Sequence, residues 1–297
     1  MLLNKTQAKR GSGRWSLLIC LLLLNACSST TFIYNRLDFL LPWYLGGYMD
    51  LSRPQKEMLD DLLQPYLYWH RTEELPLYLT VLEQVESDLD GPLTLEQVAA
   101  TSLAFEEAWL RLEQESLNWM LSLGEDLSDQ QMTDFIARLQ EQQLEYEEEY
   151  LPRSDEDYRE ETYEGLLESF QDFMGKLDPS QVEVLNDTAE AMLRSDAAWL
   201  AERAAWLLRL EATLQREPGW EQGIRDAIAS RDEDTSEQYR QVYLHNVERI
   251  QLAIVEVANS RSDKQDKHLR RKLTNLQKDL RTLIEQGHKM SQPQFPE

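Results

Sequence analysis

One kind of helix start is written four times in this chain, and it narrows the possible folds more than any other feature. Leu51-Ser52-Arg53-Pro54-Gln55, Leu93-Thr94-Leu95-Glu96-Gln97, Leu127-Ser128-Asp129-Gln130-Gln131 and Leu177-Asp178-Pro179-Ser180-Gln181 each set a Ser, Thr or Asp three residues ahead of a Gln and directly after a Leu. In a capping box the first side chain accepts the backbone N–H three residues on, the Gln reaches back, and the preceding apolar residue staples the entry. Pro54 and Pro179 fall in the first turn, where a missing donor costs little. Apolar stripes at helical spacing follow: Met58, Leu59, Leu62 and Leu63 after the first cap, Met132, Phe135, Ile136 and Leu139 after the third. Alternating strand patterns are nearly absent and Leu, Glu, Gln, Ala and Arg dominate. The expected fold is all-α, a multi-helix bundle of long antiparallel helices.

The segment from Gln181 to about Gln215, with Val182, Leu185, Met192, Trp199, Trp206 and Leu210, reads as one helix long enough to cross the domain. Asp90-Gly91-Pro92 and Glu217-Pro218-Gly219 read as turns, and Leu151-Pro152-Arg153-Ser154-Asp155 as a bend before a helix from about Glu156 to Lys176. Near the end the pattern changes. Tyr243, Val247, Ile250, Ile254 and Val257 advance by alternate steps of four and three, and so do Leu269, Leu273, Leu276, Leu280 and Leu283. Two heptad seams separated by Ser260-Arg261-Ser262-Asp263 predict a C-terminal helical hairpin with the seams facing each other; an intermolecular coiled coil is the alternative, disfavoured because each seam is short. Lys264, Lys267, Arg270, Arg271, Lys272, Lys278 and Arg281 make the last helix basic, suited to lie against an acidic helix such as the one bearing Glu145, Glu147, Glu148 and Glu149.

Before the first cap, Lys5, Lys9, Arg10 and Arg14 precede an apolar stretch from Trp15 to Leu24, which has the order of a secretory leader. Leu24-Asn25-Ala26-Cys27 resembles a bacterial lipobox, which implies cleavage before Cys27 and lipidation, palmitate included, of that residue. An uncleaved membrane helix is the weaker alternative, because the run is about half of the ~20 residues a bilayer needs. Ser28 and Ser29 follow with no Asp, which by the habit of that class implies the outer membrane, facing the periplasm. The expected organisation is a signal peptide over 1–26, a lipidated N-terminus with an aromatic first helix over 27–50, a main helical domain over 51–216, the hairpin over 217–290 and a tail over 291–297. From Phe32 to Tyr48 two readings compete: Tyr34, Phe39, Trp43 and Tyr44 rest at the membrane interface, or the segment is a core helix, which the spacing of Ile33, Leu37, Leu40 and Leu41 favours.

Loss of the leader removes four cations and no acid, so the formal charge moves from −24 to −28. Such a field repels phosphate backbones, so no nucleic acid is expected as a partner. The chain has 42% hydrophobic residues, 8 Trp and 12 Tyr, ample for a packed core. Its only cysteines are Cys20, within the leader, and Cys27, so no disulfide is expected in the mature protein.

Chemistry-bearing constellations are few. No phosphate loop, Gly-x-Ser-x-Gly elbow or His-Glu-x-x-His pair occurs, and His70, His245, His268 and His288 are scattered, so no metal, cofactor or catalytic residue is expected. The densest cluster is Tyr66-Leu67-Tyr68-Trp69-His70-Arg71, followed by Glu73-Glu74-Leu75-Pro76-Leu77-Tyr78. In one reading Trp69 and Tyr78 are core, Arg71 pairs with an acid at short helical range and Pro76 starts or bends the next helix. In the other, Trp69, His70 and Arg71 form a binding cluster in which His70 and Arg71 line a groove and hold an anionic group. The first is favoured, because Arg and His beside aromatic residues are usually satisfied within the fold.

Taken with the lipobox, Tyr34-Asn35-Arg36-Leu37-Asp38, Tyr48-Met49-Asp50-Leu51-Ser52, Trp69-His70-Arg71, Glu74-Leu75-Pro76 and Glu149-Tyr150-Leu151-Pro152 resemble a family of uncharacterised proteobacterial lipoproteins with a domain of unknown function. That resemblance implies a compartment and a fold but no activity. The recurrent Leu-Ser/Thr-x-x-Gln is also similar to the repeat of small periplasmic chaperones related to Spy and CpxP, which this chain exceeds in length and acidity. The functional expectation is a non-enzymatic lipoprotein that touches the membrane through its lipid and binds an envelope protein, as a chaperone holds a client or as a structural adaptor holds a fixed partner. A carboxylate-dependent hydrolase of envelope polymers is the alternative. Exposed apolar grooves favour binding, and buried, perturbed carboxylates favour hydrolysis.

Overall fold

The computed structural model describes residues 29–290, and all regular structure among them is helical. The leader, Cys27 and the tail over 291–297 lie outside the described residues. Two short helices, α1 (Ser29–Tyr34) and α2 (Leu37–Leu45), lead into α3 (Arg53–Trp69), a π-helical turn over His70–Glu74, and α4 (Leu75–Asp88). Helix α5 (Leu95–Asp126) is the longest, and its 32 residues extend about 48 Å at ~1.5 Å per residue. Then come α6 (Asp129–Tyr150), α7 (Asp155–Met174), α8 (Pro179–Ala191), α9 (Asp196–Thr213), α10 (Trp220–Ala229), the single turn α11 (Arg231–Asp234), α12 (Glu237–Asn259) and α13 (Asp263–Lys289).

All four expected capping boxes form, and Ser154–Asp157 and Ser262–Gln265 add two more. Leu51, Leu127 and Leu177, the residues before three of the caps, are buried as staples would be. The cap glutamines also join distant helices. Gln131 Nε2 donates to Gln55 Oε1 at 2.8 Å and to the Asp50 carbonyl at 2.6 Å, tying the start of α6 to that of α3. Gln265 Nε2 donates to Gln181 Oε1 at 2.7 Å and to the Lys176 carbonyl at 3.1 Å, tying α13 to α8 in the same way.

Among the described residues a smaller cluster of Leu117 and Leu121 of α5 with Ile224 of α10, and two larger apolar cores, hold the molecule. One gathers Leu59, Leu63 and Leu67 of α3, Leu123 of α5 and Met132 of α6 around the first pair of glutamines. The other gathers Leu166 of α7, Leu185 of α8, Val257 of α12 and Leu269 and Leu273 of α13 around the second. Helix α5 links them, packing on α3 and also on α4 and α12.

Four expectations are corrected. The single helix over 181–215 is broken at 192–195, because Asn246 of α12 clamps the intervening backbone: Leu193 N–H donates to Asn246 Oδ1, and Asn246 Nδ2 donates to the Leu193 carbonyl, both at 2.8 Å. Asp196, buried at the start of α9, then takes Arg153 at 2.7 Å and Arg194 at 3.1 Å. The C-terminal seams do not zip together; α12 packs on α8, α5 and α9, whereas α13 packs along α4, α7 and the π turn. Nor does the basic last helix lie on the acids of α6. Arg281 pairs with Glu83 at 2.7 Å, Arg270 with Asp90 at 3.0 Å, and Lys272 with Asp172. Glu145, Glu148 and Glu149 are solvated. Finally, the segment over 32–48 is not a core helix throughout. Leu37, Leu41 and Leu45 pack against the first core, while Phe32, Ile33, Phe39, Trp43 and Tyr44 face outward, Trp43 with 66% of its surface exposed.

Candidate functional site

Helix α3 does not end where its α-helical pattern would carry it. Pro76 has no N–H to continue the ladder, and the Leu75 N–H reaches five residues back to the His70 carbonyl, which makes a π turn. The wider turn changes which residues share a face, and short-range pairing at 3.6 residues per turn no longer applies. Glu74 is thereby turned inward to 1% exposure, where Arg111 of α5 holds it by two bonds: Nε to Oε2 at 2.9 Å and Nη2 to Oε1 at 2.8 Å. Arg71 has no acid at short helical range, contrary to expectation. It lies over the Tyr34 ring at 5.1 Å and donates to Asn35 Oδ1 at 2.9 Å and Met290 Sδ at 3.5 Å.

His70, the first residue of this turn, is stacked on Tyr34 with ring centres 5.6 Å apart and met edge-on by Tyr78 at 5.8 Å. Burial, helped by the Arg71 cation, pushes its pKa down to about 4, so the ring is neutral near neutral pH. Burial pushes the Tyr34 hydroxyl up, which keeps it protonated. The 2.6 Å bond between them is therefore donated by Tyr34 and accepted by Nδ1 of His70, which leaves the ring proton on Nε2. Half-buried Trp69 packs on Tyr66 at 5.8 Å, and Tyr66 meets Trp119 of α5 edge-on. Of the three residues in the cluster, His70 lines a large cavity, and Trp69 and Arg71 do not.

That cavity is a cleft of about 1850 Å³ between the two cores. Drug-sized ligands occupy pockets of roughly 300–1,000 Å³, so this one has room for something longer. It exists because α5 does not pack along α7 or α9, and their side chains face one another across the gap. Phe105, Trp109, Leu112 and Trp119 line it from α5, Phe170 and Phe173 from α7, and Trp199 and Trp206 from α9. The first heptad seam supplies another wall, with Tyr243, Val247, Ile250, Ile254 and Val257 all lining the cleft. The periodicity of these residues marked them as core, and the same periodicity serves a cleft wall. The one distinguishing signal in the sequence is the pair of arginines, Arg203 and Arg209, set into the aromatic stripe of α9.

The polar groups of the cleft are mostly engaged. Tyr243 donates to Glu106 Oε1 at 2.8 Å, and the same contact with burial holds its pKa up. Glu161 is paired with Arg153, and Glu202 accepts the Ser236 N–H at 3.0 Å. Arg203 donates to Gln143 Oε1 at 2.5 Å and Gln142 Oε1 at 3.0 Å and lies over Tyr146; burial among these neutral partners lowers its pKa. Arg209 has less. Its Nη2 is 3.8 Å from Glu202, an ion pair too long for a hydrogen bond. Among the described residues no group of three or more His, Cys, Asp or Glu side chains is placed to hold a metal, and no helix is long and apolar enough to cross a membrane.

Residues 47–240, from just before α3 into the first turn of α12, match a family described as a family of unknown function, DUF6279. The chain belongs to that family. The matched DUF6279 region holds the π turn, the Glu74–Arg111 pair and the cleft walls from α4, α5, α7 and α9, while α13 and most of α12 lie beyond it. No curated protein and no solved structure matches the chain.

Proposed function

We propose that this protein is a lipid-anchored envelope protein, attached through Cys27 to the outer membrane and facing the periplasm, whose helical body binds apolar cargo without chemical turnover. The observation that carries the binding reading is the cleft: aromatic and aliphatic walls from four long helices, with the heptad seam of α12 as part of one of them. Hydrolysis is the poorer reading, because four of the five carboxylates that line the cleft, Asp88, Glu106, Glu161 and Glu202, are already engaged by a donor, and the fifth, Asp232, is exposed to solvent. Anchoring rests on the lipobox and the basic, apolar leader. The outward Phe32, Phe39, Trp43 and Tyr44 fit it, since aromatic side chains favour the membrane–water boundary.

Labelled palmitate should enter the wild-type protein, and Cys27→Ala should take up none and stay unprocessed or leave the membrane fraction. Unlabelled wild type overturns the anchoring. For the body, crosslinking at native expression should trap cargo at the cleft walls. The mature protein should also suppress aggregation of an unfolded envelope protein without ATP if its role is that of a holdase. A single stoichiometric protein partner, with no suppression of aggregation, would instead make it an adaptor.

A further inference from the structure

Exposed aromatic side chains are not spread evenly over this molecule. Among the described residues they are Phe32, Phe39, Trp43, Tyr44 and Trp109, and all but Trp109 stand on α1 and α2. Single exposed apolar residues need no explanation, but a cluster of them does. Helix α2 shows how the cluster arises. Leu37, Leu41 and Leu45 recur every four residues and pack against the first core, so Phe39 and Trp43, two positions out of phase, project from the opposite side. Tyr44 follows them, with its hydroxyl 2.9 Å from that of Tyr48. From Ser29 to Met49 the only charged residues are Arg36 and Asp38, in a chain whose formal charge is −24. The segment is also fastened to the body. Tyr34 donates to His70 at 2.6 Å, and Arg71 donates to Asn35 at 2.9 Å.

We propose that the aromatic face of α1 and α2 is a membrane-docking surface, seated at the headgroup level of the leaflet that holds the lipid of Cys27, so that the body keeps one orientation instead of swinging on its acyl chains. This inference rests on Cys27 being the lipidated residue. Chain length then selects the occupant. Cys27 stands two positions before Ser29, and an extended chain covers at most ~3.6 Å per residue, so α1 begins within roughly 7 Å of the anchored cysteine. At that range the leaflet is already at hand, whereas a second copy or a soluble protein would have to enter between the body and the membrane. The side chains agree. Trp and Tyr join an apolar ring to a polar tip and collect at the membrane–water boundary. The near-neutral stretch also spares this face the repulsion that anionic headgroups exert on the acidic remainder of the chain. Thr30, Tyr34, Leu37 and Leu41 of the same two helices line the cleft, so docking holds that end of the cleft beside the leaflet.

The full chain is produced with its leader, so that Cys20 is removed, Cys27 carries lipid and an introduced cysteine is the one free thiol. Phe39→Cys, Trp43→Cys and Lys264→Cys are labelled with a nitroxide and reconstituted into vesicles of phosphatidylcholine. Lys264 is the control: α13 meets Arg71 at Met290, and Lys264 lies roughly 39 Å back along that helix. Each label is then tested for access to oxygen, which concentrates in the bilayer, against access to a water-soluble nickel chelate. The ratio of oxygen to nickel access should be severalfold higher at 39 and 43 than at 264. Equal ratios in protein that stays with the vesicles overturn the docking and leave the anchoring standing; protein that takes up no lipid and leaves the vesicles overturns both. A label at 43 shielded from both reagents means that protein covers the face, a second copy included, and also overturns the proposal. Phe39→Glu with Trp43→Glu, at exposed positions, should leave the protein on the vesicles yet bring a label at Tyr44→Cys into water. A label at 44 that stays in the bilayer in that variant counts against the aromatic face.

Discussion

A histidine kept neutral by burial ties stability to pH in a definite direction. In the unfolded chain His70 takes up a proton near its ordinary pKa of 6.5, whereas in the fold it does so only near 4. The unfolded state therefore binds more protons in between, and this contribution is fully present above 6.5 and is lost as pH falls toward 4. Its full size is roughly 3 kcal/mol. His70→Gln, which retains an acceptor for Tyr34, should flatten the fall in urea-unfolding free energy over that window relative to wild type; parallel curves would place the acid sensitivity elsewhere. Glu74 poses a different test at the same scale. Removing its partner by Arg111→Ala leaves a carboxylate at 1% exposure uncompensated and should cost about 3 kcal/mol. Glu74→Met combined with Arg111→Met should recover most of that loss, because the buried charge goes with its partner. Neither residue's role was legible in sequence: Pro76 signalled a helix boundary, but nothing in local propensity says that the turn before it widens.

Between elements, the caps were the most legible part of the fold, because a capping box is settled by four consecutive residues. What those residues do at long range was not legible. Gln131 closes its own box and also bonds Gln55 and the Asp50 carbonyl, so Gln131→Ala should cost roughly 2 kcal/mol, more than the ~1 kcal/mol of a cap alone, although Gln55 keeps the Ser52 N–H and the Asp126 carbonyl as partners. A loss of only the smaller size would mean that the pairing contributes nothing beyond the cap. The close seat of α13 on the π turn is tested at Gly287, where a methyl group would come 2.8 Å from Arg71 Cβ. In an open helix Gly→Ala gains about 1 kcal/mol, but Gly287→Ala should give a net loss, since overpacking costs about 1–3 kcal/mol. A rise in the unfolding midpoint would show α13 seated loosely. The long helix expected over 181–215 failed for a comparable reason: the break depends on Asn246, more than fifty positions from Leu193 in sequence, and apolar spacing continues across it regardless.

Across the whole molecule, sequence periodicity told which residues leave water without telling what they face. The seam of α12 has the same spacing whether it meets α13, a second chain or a cleft, and only the tertiary arrangement assigns it to the cleft. Net charge is legible at once, at −24 for the full chain and −28 after the expected cleavage, and it has a consequence that no pair of residues shows. Much of the acid excess is solvated, as at Glu145, Glu148 and Glu149, and repels over distances that salt screens within about 10 Å at 0.1 M. Some of the attractive pairs are more sheltered: Arg153 and Asp196 are mostly buried, and Lys272 and Asp172 largely so, whereas Arg281 and Glu83 are exposed. Screening therefore weakens the spread-out repulsion more than the local attraction. The thermal midpoint should rise as sodium chloride goes from roughly 0.01 to 0.15 M, where the Debye length contracts from about 30 to 8 Å. A midpoint that falls would mean that the ion pairs joining α4, α7, α9 and α13 outweigh the repulsion of the acidic surface, and that these pairs rather than apolar burial hold the walls of the cleft in place.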